Sequence, residues 1–158
     1  MLVHPIPPMY DGNSRILILG SFPSVKSREA RFFYGHPQNR FWRVISDILG
    51  ESCPETLEQK RKLLLKHNIA AWDVIRSCDI EGSSDSSIKN VTPNDLSVIL
   101  NNAKIKQIFV NGRTAYKYFC KYNKGLNAVC LPSTSPANAA FSLEKLVEEW
   151  NVIRKYLN

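Results

Sequence analysis

Four short apolar runs recur along the chain with helical segments between them, and this alternation restricts the fold more than any other feature. The runs are "RILILG" (15–20), "IAAWDVI" (69–75), "IKQIFVNG" (105–112) and the "LNAVC" that leads into "LPSTSPAN" (126–138). Each has the length of a strand and lacks the strict polar–apolar alternation of a half-exposed sheet, so each is expected to be buried on both faces. Between them, apolar residues repeat at helical intervals. Phe41, Val44, Ile45, Ile48 and Leu49 form one face ahead of Gly50, and Leu143, Leu146, Val147, Trp150, Ile153 and Leu157 form another over 142–157. Residues 55–67, 94–103 and 113–122 also read as helices, and the Ser-rich 81–93 as a surface loop or, equally, a mobile loop facing substrate. The pattern predicts an α/β fold, a three-layer α/β/α sandwich around a central four-stranded parallel sheet, in one domain spanning 1–158. Ligands of such sheets bind beyond the carboxyl ends of the strands, which here carry "GSFPS" (20–24), Trp72 and Asp73, Asn111 and Gly112, and "PSTSPAN" (132–138).

A ten-residue stretch ahead of the first long helix, "FYGHPQNRFW" (33–42), is unusual in composition. A core does not need His36, Gln38, Asn39 and Arg40 side by side, and a solvated loop gains little from Phe33, Tyr34, Phe41 and Trp42. The mixture suits a site that stacks on a flat ligand and hydrogen-bonds to it. With 21 Lys and Arg against 14 Asp and Glu, the formal charge is +7, which favours a polyanion as partner, nucleic acid first. None of Cys53, Cys78, Cys120 and Cys130 lies within a few residues of another, so no zinc or iron–sulfur spacing is present, and reduced thiols are expected. The N-terminus lacks the charged start and apolar run of a signal peptide, and no segment is long enough to cross a bilayer; a cytoplasmic location is expected.

Three segments in order, "GSFPS" (20–24), "GHPQNRFW" (35–42) and "STSPAN" (133–138), make the chain resemble the uracil-DNA glycosylase superfamily, most of all its hypoxanthine-DNA glycosylase branch. The resemblance covers nearly the whole chain and implies a monofunctional enzyme. Such an enzyme flips a deaminated base out of DNA and hydrolyses its N-glycosidic bond, leaving an abasic site without metal or cofactor. Mismatch-specific relatives carry a water-positioning asparagine where this chain has Phe22. The branch resemblance moves that duty to Asn39, as an amide that orients water and stabilises an oxocarbenium-like transition state by placed dipoles. Asn39 equally suits an N-cap for the helix that begins beside it.

By the same resemblance Tyr34 stacks on the extruded base, with Phe22 as a second wall of the pocket. Asp73 stands where many relatives read the base edge with asparagine. A carboxylate only accepts hydrogen bonds, so it suits the N1–H of hypoxanthine and repels pyrimidine carbonyls; it equally suits pairing with Arg76. Ser135 occupies the second-motif position near the leaving base. Ser133 and Thr134 with Ser135 suit phosphate contacts, and Asn138 or a neighbour suits entry into the vacated stack. Ser21, Ser24, Lys26 and Ser27 are expected to clamp the backbone from the other side. Arg40 belongs to a basic face with Lys26, Arg28, Arg31 and Arg113. His36 is assigned to a phosphate or the leaving base, or to a fixed turn before Pro37. The expected partner is DNA bearing a deaminated base, with no membrane partner and with the protein a monomer. Rival readings are a uracil or mismatch-specific glycosylase and a non-catalytic DNA-binding relative; a nucleotide-binding protein is disfavoured by the lack of a phosphate-binding glycine loop.

Overall fold

A computed structural model describes residues 1–158. Strands β1 (Leu2–Val3), β2 (Ile16–Gly20), β3 (Ile69–Asp73), β4 (Ile75–Asp79), β5 (Lys89–Pro93), β6 (Gln107–Asn111) and β7 (Ala128–Leu131) form two sheets. Helices are α1 (Val25–Ala30), α2 (Phe41–Leu49), α3 (Leu57–Lys66), α4 (Ser97–Leu100), α5 (Arg113–Tyr122) and α6 (Leu143–Trp150). The main sheet is four-stranded and wholly parallel in the order β3-β2-β6-β7, as expected from the four apolar runs. Every residue of β2 and β3 is buried. Helices flank this sheet, and its side chains join a core of 35 buried residues. No helix is long and apolar enough to cross a membrane.

Local chemistry explains the helix boundaries. Ser24 caps α1 by accepting the Ser27 N–H (3.2 Å), and Thr56 and Gln59 form a reciprocal capping box at α3. Gly50 ends α2 in the left-handed conformation, φ 68°. Phe41 on α2 meets Trp150 on α6 edge-on, at 5.9 Å between centroids.

A second sheet, antiparallel in the order β1-β4-β5, departs from the sequence expectation. The run 69–75 is not one strand. It breaks at Val74, whose N–H donates to the Gly20 carbonyl (2.8 Å), and the chain continues as β4 in the other sheet. The buried Asn94 amide stabilises the break by donating to the carbonyls of Asp73 and Ile75, at 2.9 and 3.2 Å. Residues 81–93 are likewise not all loop, because 85–87 form a 3₁₀ turn and 89–93 form β5. The helix expected over 94–103 shrinks to the single turn α4, and that over 142–157 changes to 3₁₀ winding after Trp150. Along β3 the N-terminal segment pairs antiparallel, with Met9 and Ala71 exchanging hydrogen bonds at 3.0 and 2.9 Å. This path carries His4 to the carboxyl end of the main sheet.

Candidate active site

The register of β2 with β3 sets Gly20 beside Asp73, and that edge of the sheet opens into a cavity of about 370 Å³. Gly20, Phe22, Tyr34, His36, Asn39, Asp73 and Asn111 line it, with Ser133 to Ala137 on one side and Ser83 and Asp85 on the other. Four strand ends and the 33–42 stretch therefore converge on one pocket, as the parallel-sheet rule requires.

One wall is a chain of amides whose polarity two backbone groups dictate. The N–H of Phe41 donates to Asn39 Oδ1 (2.9 Å), which fixes which end of that amide faces Thr134. Thr134 Oγ1 must then donate to the same oxygen, at 2.8 Å. The Thr134 backbone N–H donates to Asn111 Oδ1 (3.0 Å), so Asn111 Nδ2 donates to Thr134 Oγ1 (2.9 Å). The Asn39 oxygen thus accepts twice, while its Nδ2 makes no hydrogen bond within the protein. The N-cap of α2 is Arg40, not Asn39; Asn39 lies one residue before it, binds the Phe41 N–H and takes a place in the pocket wall, and the group it leaves unbonded is a donor.

The floor carries the opposite polarity. Asp73 Oδ2 accepts from His4 Nε2 at 2.6 Å, and the side chains are 6% and 2% exposed. Pairing of Asp73 with Arg76 does not occur; Arg76 is exposed. Gly20 has to lack a side chain here, since a Cβ at that position would overlap Asp73 Oδ1. Tyr34 holds a left-handed backbone, φ 53°, a conformation that costs a non-glycine residue about 1 kcal/mol or more. Its ring stacks on Phe41 at 3.9 Å, and its carbonyl accepts from Trp42 Nε1 at 3.2 Å. These contacts bring the phenol to the floor, where its buried hydroxyl has no hydrogen-bond partner. Burial, and then the Asp73 carboxylate, push the Tyr34 pKa well above the ordinary tyrosine value; the Asn111 side chain acts against them. The hydroxyl is therefore neutral and free to donate beside an acceptor carboxylate.

A family model described as the uracil DNA glycosylase superfamily matches residues 7–156. A Methanosarcina acetivorans protein named hypoxanthine DNA glycosylase is 36% identical over 159 residues, covering 99% of this chain and 100% of the relative. The chain belongs to the uracil DNA glycosylase superfamily. A Methanosarcina barkeri protein of the same name is 39% identical over 114 residues, covering 71% of this chain and 72% of the relative. A solution NMR structure of a Methanosarcina acetivorans protein superposes with a TM-score of 0.82 at 35% identity, covering 99% of both chains. Membership makes the chain a DNA glycosylase, and the +7 charge agrees with a DNA substrate.

Within this glycosylase fold, the residues expected to touch DNA divide into lining groups and braces. Ser21 lines the pocket and donates to Asp85 Oδ1 at 3.2 Å, and Ser24 lines it while capping α1. Ser133 and Ser135 also line it, and their oxygens accept from the backbone N–H groups of Ser135 and Ala137. His36 does so too, with Nδ1 accepting the Gln38 N–H at 3.1 Å in the fixed turn that preceding proline suggested. Lys26 is exposed outside the cavity, 3.7 Å from Glu29.

Ser27, Thr134, Arg40 and Asn138, expected to contact DNA, have side chains engaged within the protein, and Ser27 and Thr134 also line the cavity. Ser27 is buried and accepts the Gly35 N–H at 2.9 Å, and Thr134 is fully buried inside the amide chain. Arg40 turns inward and donates to the carbonyls of Phe141, Ser135 and Asn138, the last two at 3.0 Å. Asn138 folds back on its own loop, its Nδ2 donating to the Ser133 carbonyl at 3.0 Å. The exposed tip of this loop is instead Pro136 and Ala137. Sequence reasoning missed His4, Asn111 and Asp85. Asn111 was marked by its place at a strand's carboxyl end, and Asp85 by the substrate-facing reading of 81–93, but nothing in "MLVHP" signalled His4.

Proposed function

We propose that this glycosylase excises hypoxanthine from deoxyinosine in DNA, acting as a single-domain monomer in the cytoplasm. The observation that carries the reading is the floor pair: an acceptor carboxylate, Asp73, beside the neutral, unpartnered hydroxyl of Tyr34. That pair complements the N1–H and O6 of hypoxanthine and mismatches adenine, whose N1 accepts and whose 6-amino group donates. The names of the Methanosarcina relatives support the same substrate.

In the reaction the C1′–N9 bond breaks with the pair going to the base, a water oxygen bonds to C1′, and the proton that water loses is balanced by protonation of the departing base, which leaves neutral. Asn39 contributes its Nδ2 donor, held by Thr134 and the Phe41 N–H, as a fixed dipole toward the negative charge that develops on the departing base. Phe22 and Tyr34 bound the base, and Ser135 stands near the leaving group. Ser21, Ser24, Ser133 and His36 at the pocket, with Lys26 beyond it, serve the DNA backbone.

Single-turnover cleavage of duplexes carrying deoxyinosine, deoxyuridine or deoxyxanthosine, with abasic sites revealed by alkali, tests the proposal. Inosine cleavage that disappears in Asn39→Ala while DNA binding persists is the expected result. Cleavage of uracil alone overturns the hypoxanthine assignment but not the floor pair, which the N3–H and O4 of uracil also complement, and no cleavage of any base overturns the activity.

A further inference from the structure

We infer that His4 is a specificity-determining residue, which restricts the pocket floor to one acceptor oxygen and thereby excludes guanine. The inference rests on the reading of Asp73 as the group that meets the base edge. Guanine is the normal DNA base most like the proposed substrate, sharing its N1–H and O6 and differing by an amino group at C2. A carboxylate with both oxygens open complements guanine better than hypoxanthine, because N1–H and the 2-amino group form a pair of parallel donors. Asp73 alone would therefore favour the wrong base.

His4 turns the second oxygen away from the base: Oδ2 points at the His4 ring, which is buried and does not line the cavity. Its Nδ1 accepts the Ile6 N–H at 3.2 Å, so the ring proton on Nε2 is the one donated to Asp73 Oδ2, at 2.6 Å. The ring cannot swing away: the His4 backbone N–H donates to the Arg76 carbonyl at 2.7 Å, and Phe22 meets the imidazole edge-on at 5.9 Å. Oδ1 remains, on the side of Gly20, where only a residue without a side chain leaves it room. Hypoxanthine satisfies that single acceptor through N1–H. Guanine's amino group would reach the floor where Oδ2 is turned away toward the buried His4 ring, and would be buried without a partner.

Free hypoxanthine and free guanine, used as inhibitors of deoxyinosine excision, test this directly. For the wild type, guanine is expected to inhibit about ten-fold or more weakly than hypoxanthine, the effect of one unpaired buried donor. In His4→Leu and in His4→Asn, which is polar but too short to reach Oδ2, the two bases should inhibit equally or guanine better. His4→Gln places an amide N–H near the position of Nε2 and should restore the wild-type ratio. The ratio is read on folded protein, so a general loss of stability does not shift it, and either of the two short variants suffices if the other does not fold. An unchanged ratio in a folded His4→Leu or His4→Asn overturns the inference. Asp73→Asn separates the underlying reading: if it leaves hypoxanthine inhibition and inosine excision unaltered, Asp73 does not meet the base at all.

Discussion

Replacing Thr134 by valine removes one hydroxyl from a fully buried position and leaves the shape of the side chain nearly unchanged. That hydroxyl both donates to Asn39 Oδ1 and accepts from Asn111 Nδ2, at 2.8 and 2.9 Å. Without it, the Asn111 amide is left with an unsatisfied donor, and Asn39 is held only by the Phe41 N–H. The unsatisfied group should destabilise the fold by about 1–3 kcal/mol. If a further 1.4–2.8 kcal/mol of transition-state stabilisation depends on the fixed Asn39 dipole, excision slows by roughly ten- to a hundred-fold. Thr134→Ser is the control, since it keeps the hydroxyl and loses one methyl group, costing about 1 kcal/mol of stability. Urea denaturation measures the first quantity, single-turnover cleavage of a deoxyinosine duplex the second, and an electrophoretic binding assay shows that DNA affinity persists. Serine should cleave near the wild-type rate and valine should not. If valine cleaves within two-fold of serine, the hydroxyl is only structural and the amide chain does not position Asn39.

Gly20→Ala should drive Asp73 from its place and abolish measurable excision, with crystallography or NMR showing a displaced His4 ring; retention of full activity would mean that Asp73 Oδ1 is dispensable. Arg40→Ala should loosen 133–141, seen as faster hydrogen exchange at the amides of Asn138 and Phe141, whereas a mere phosphate ligand would leave free-protein exchange unchanged. For Tyr34, the raised folded pKa means that above pH 10 the unfolded chain releases the phenolic proton and the folded chain retains it. Stability is therefore unaffected by this group below the unfolded pKa and is lost as pH rises from there toward the folded value. Tyr34→Phe should flatten that alkaline decline in a denaturation series, and an equal decline in both proteins would place the phenol in solvent.

The residues that meet at the pocket were legible to different degrees, for reasons that concern distance along the chain. Buried runs such as Ile16 to Leu19 announce a parallel sheet, because a strand covered on both faces needs apolar residues at every position. Once the sheet is inferred, its carboxyl edge follows, and with it Gly20, Asp73, Asn111 and the 133–138 loop. The break at Val74 was invisible, since an apolar run has the same pattern whether it stays in one sheet or passes to a second. Strand β5 was hidden for the opposite reason: Lys89, Asn90 and Thr92 are exposed, so this edge strand carries no apolar signature.

What the sequence determined by itself is the layered α/β architecture, the edge at which chemistry occurs and the family, because periodicity and short motifs are local properties of the chain. Only the tertiary structure decided what each polar group is free to do. Arg40 reads in the sequence as part of a basic face, and the fold sets its two terminal nitrogens on three carbonyls about a hundred residues away; Asn39 reads as a water holder, and the fold gives its oxygen to Thr134, 95 residues on. His4 and Asp73 lie 69 residues apart, and their pairing arises from the path of the N-terminal segment along β3. A hydrogen bond has a donor, an acceptor and a direction, and the fold alone brings such partners within reach.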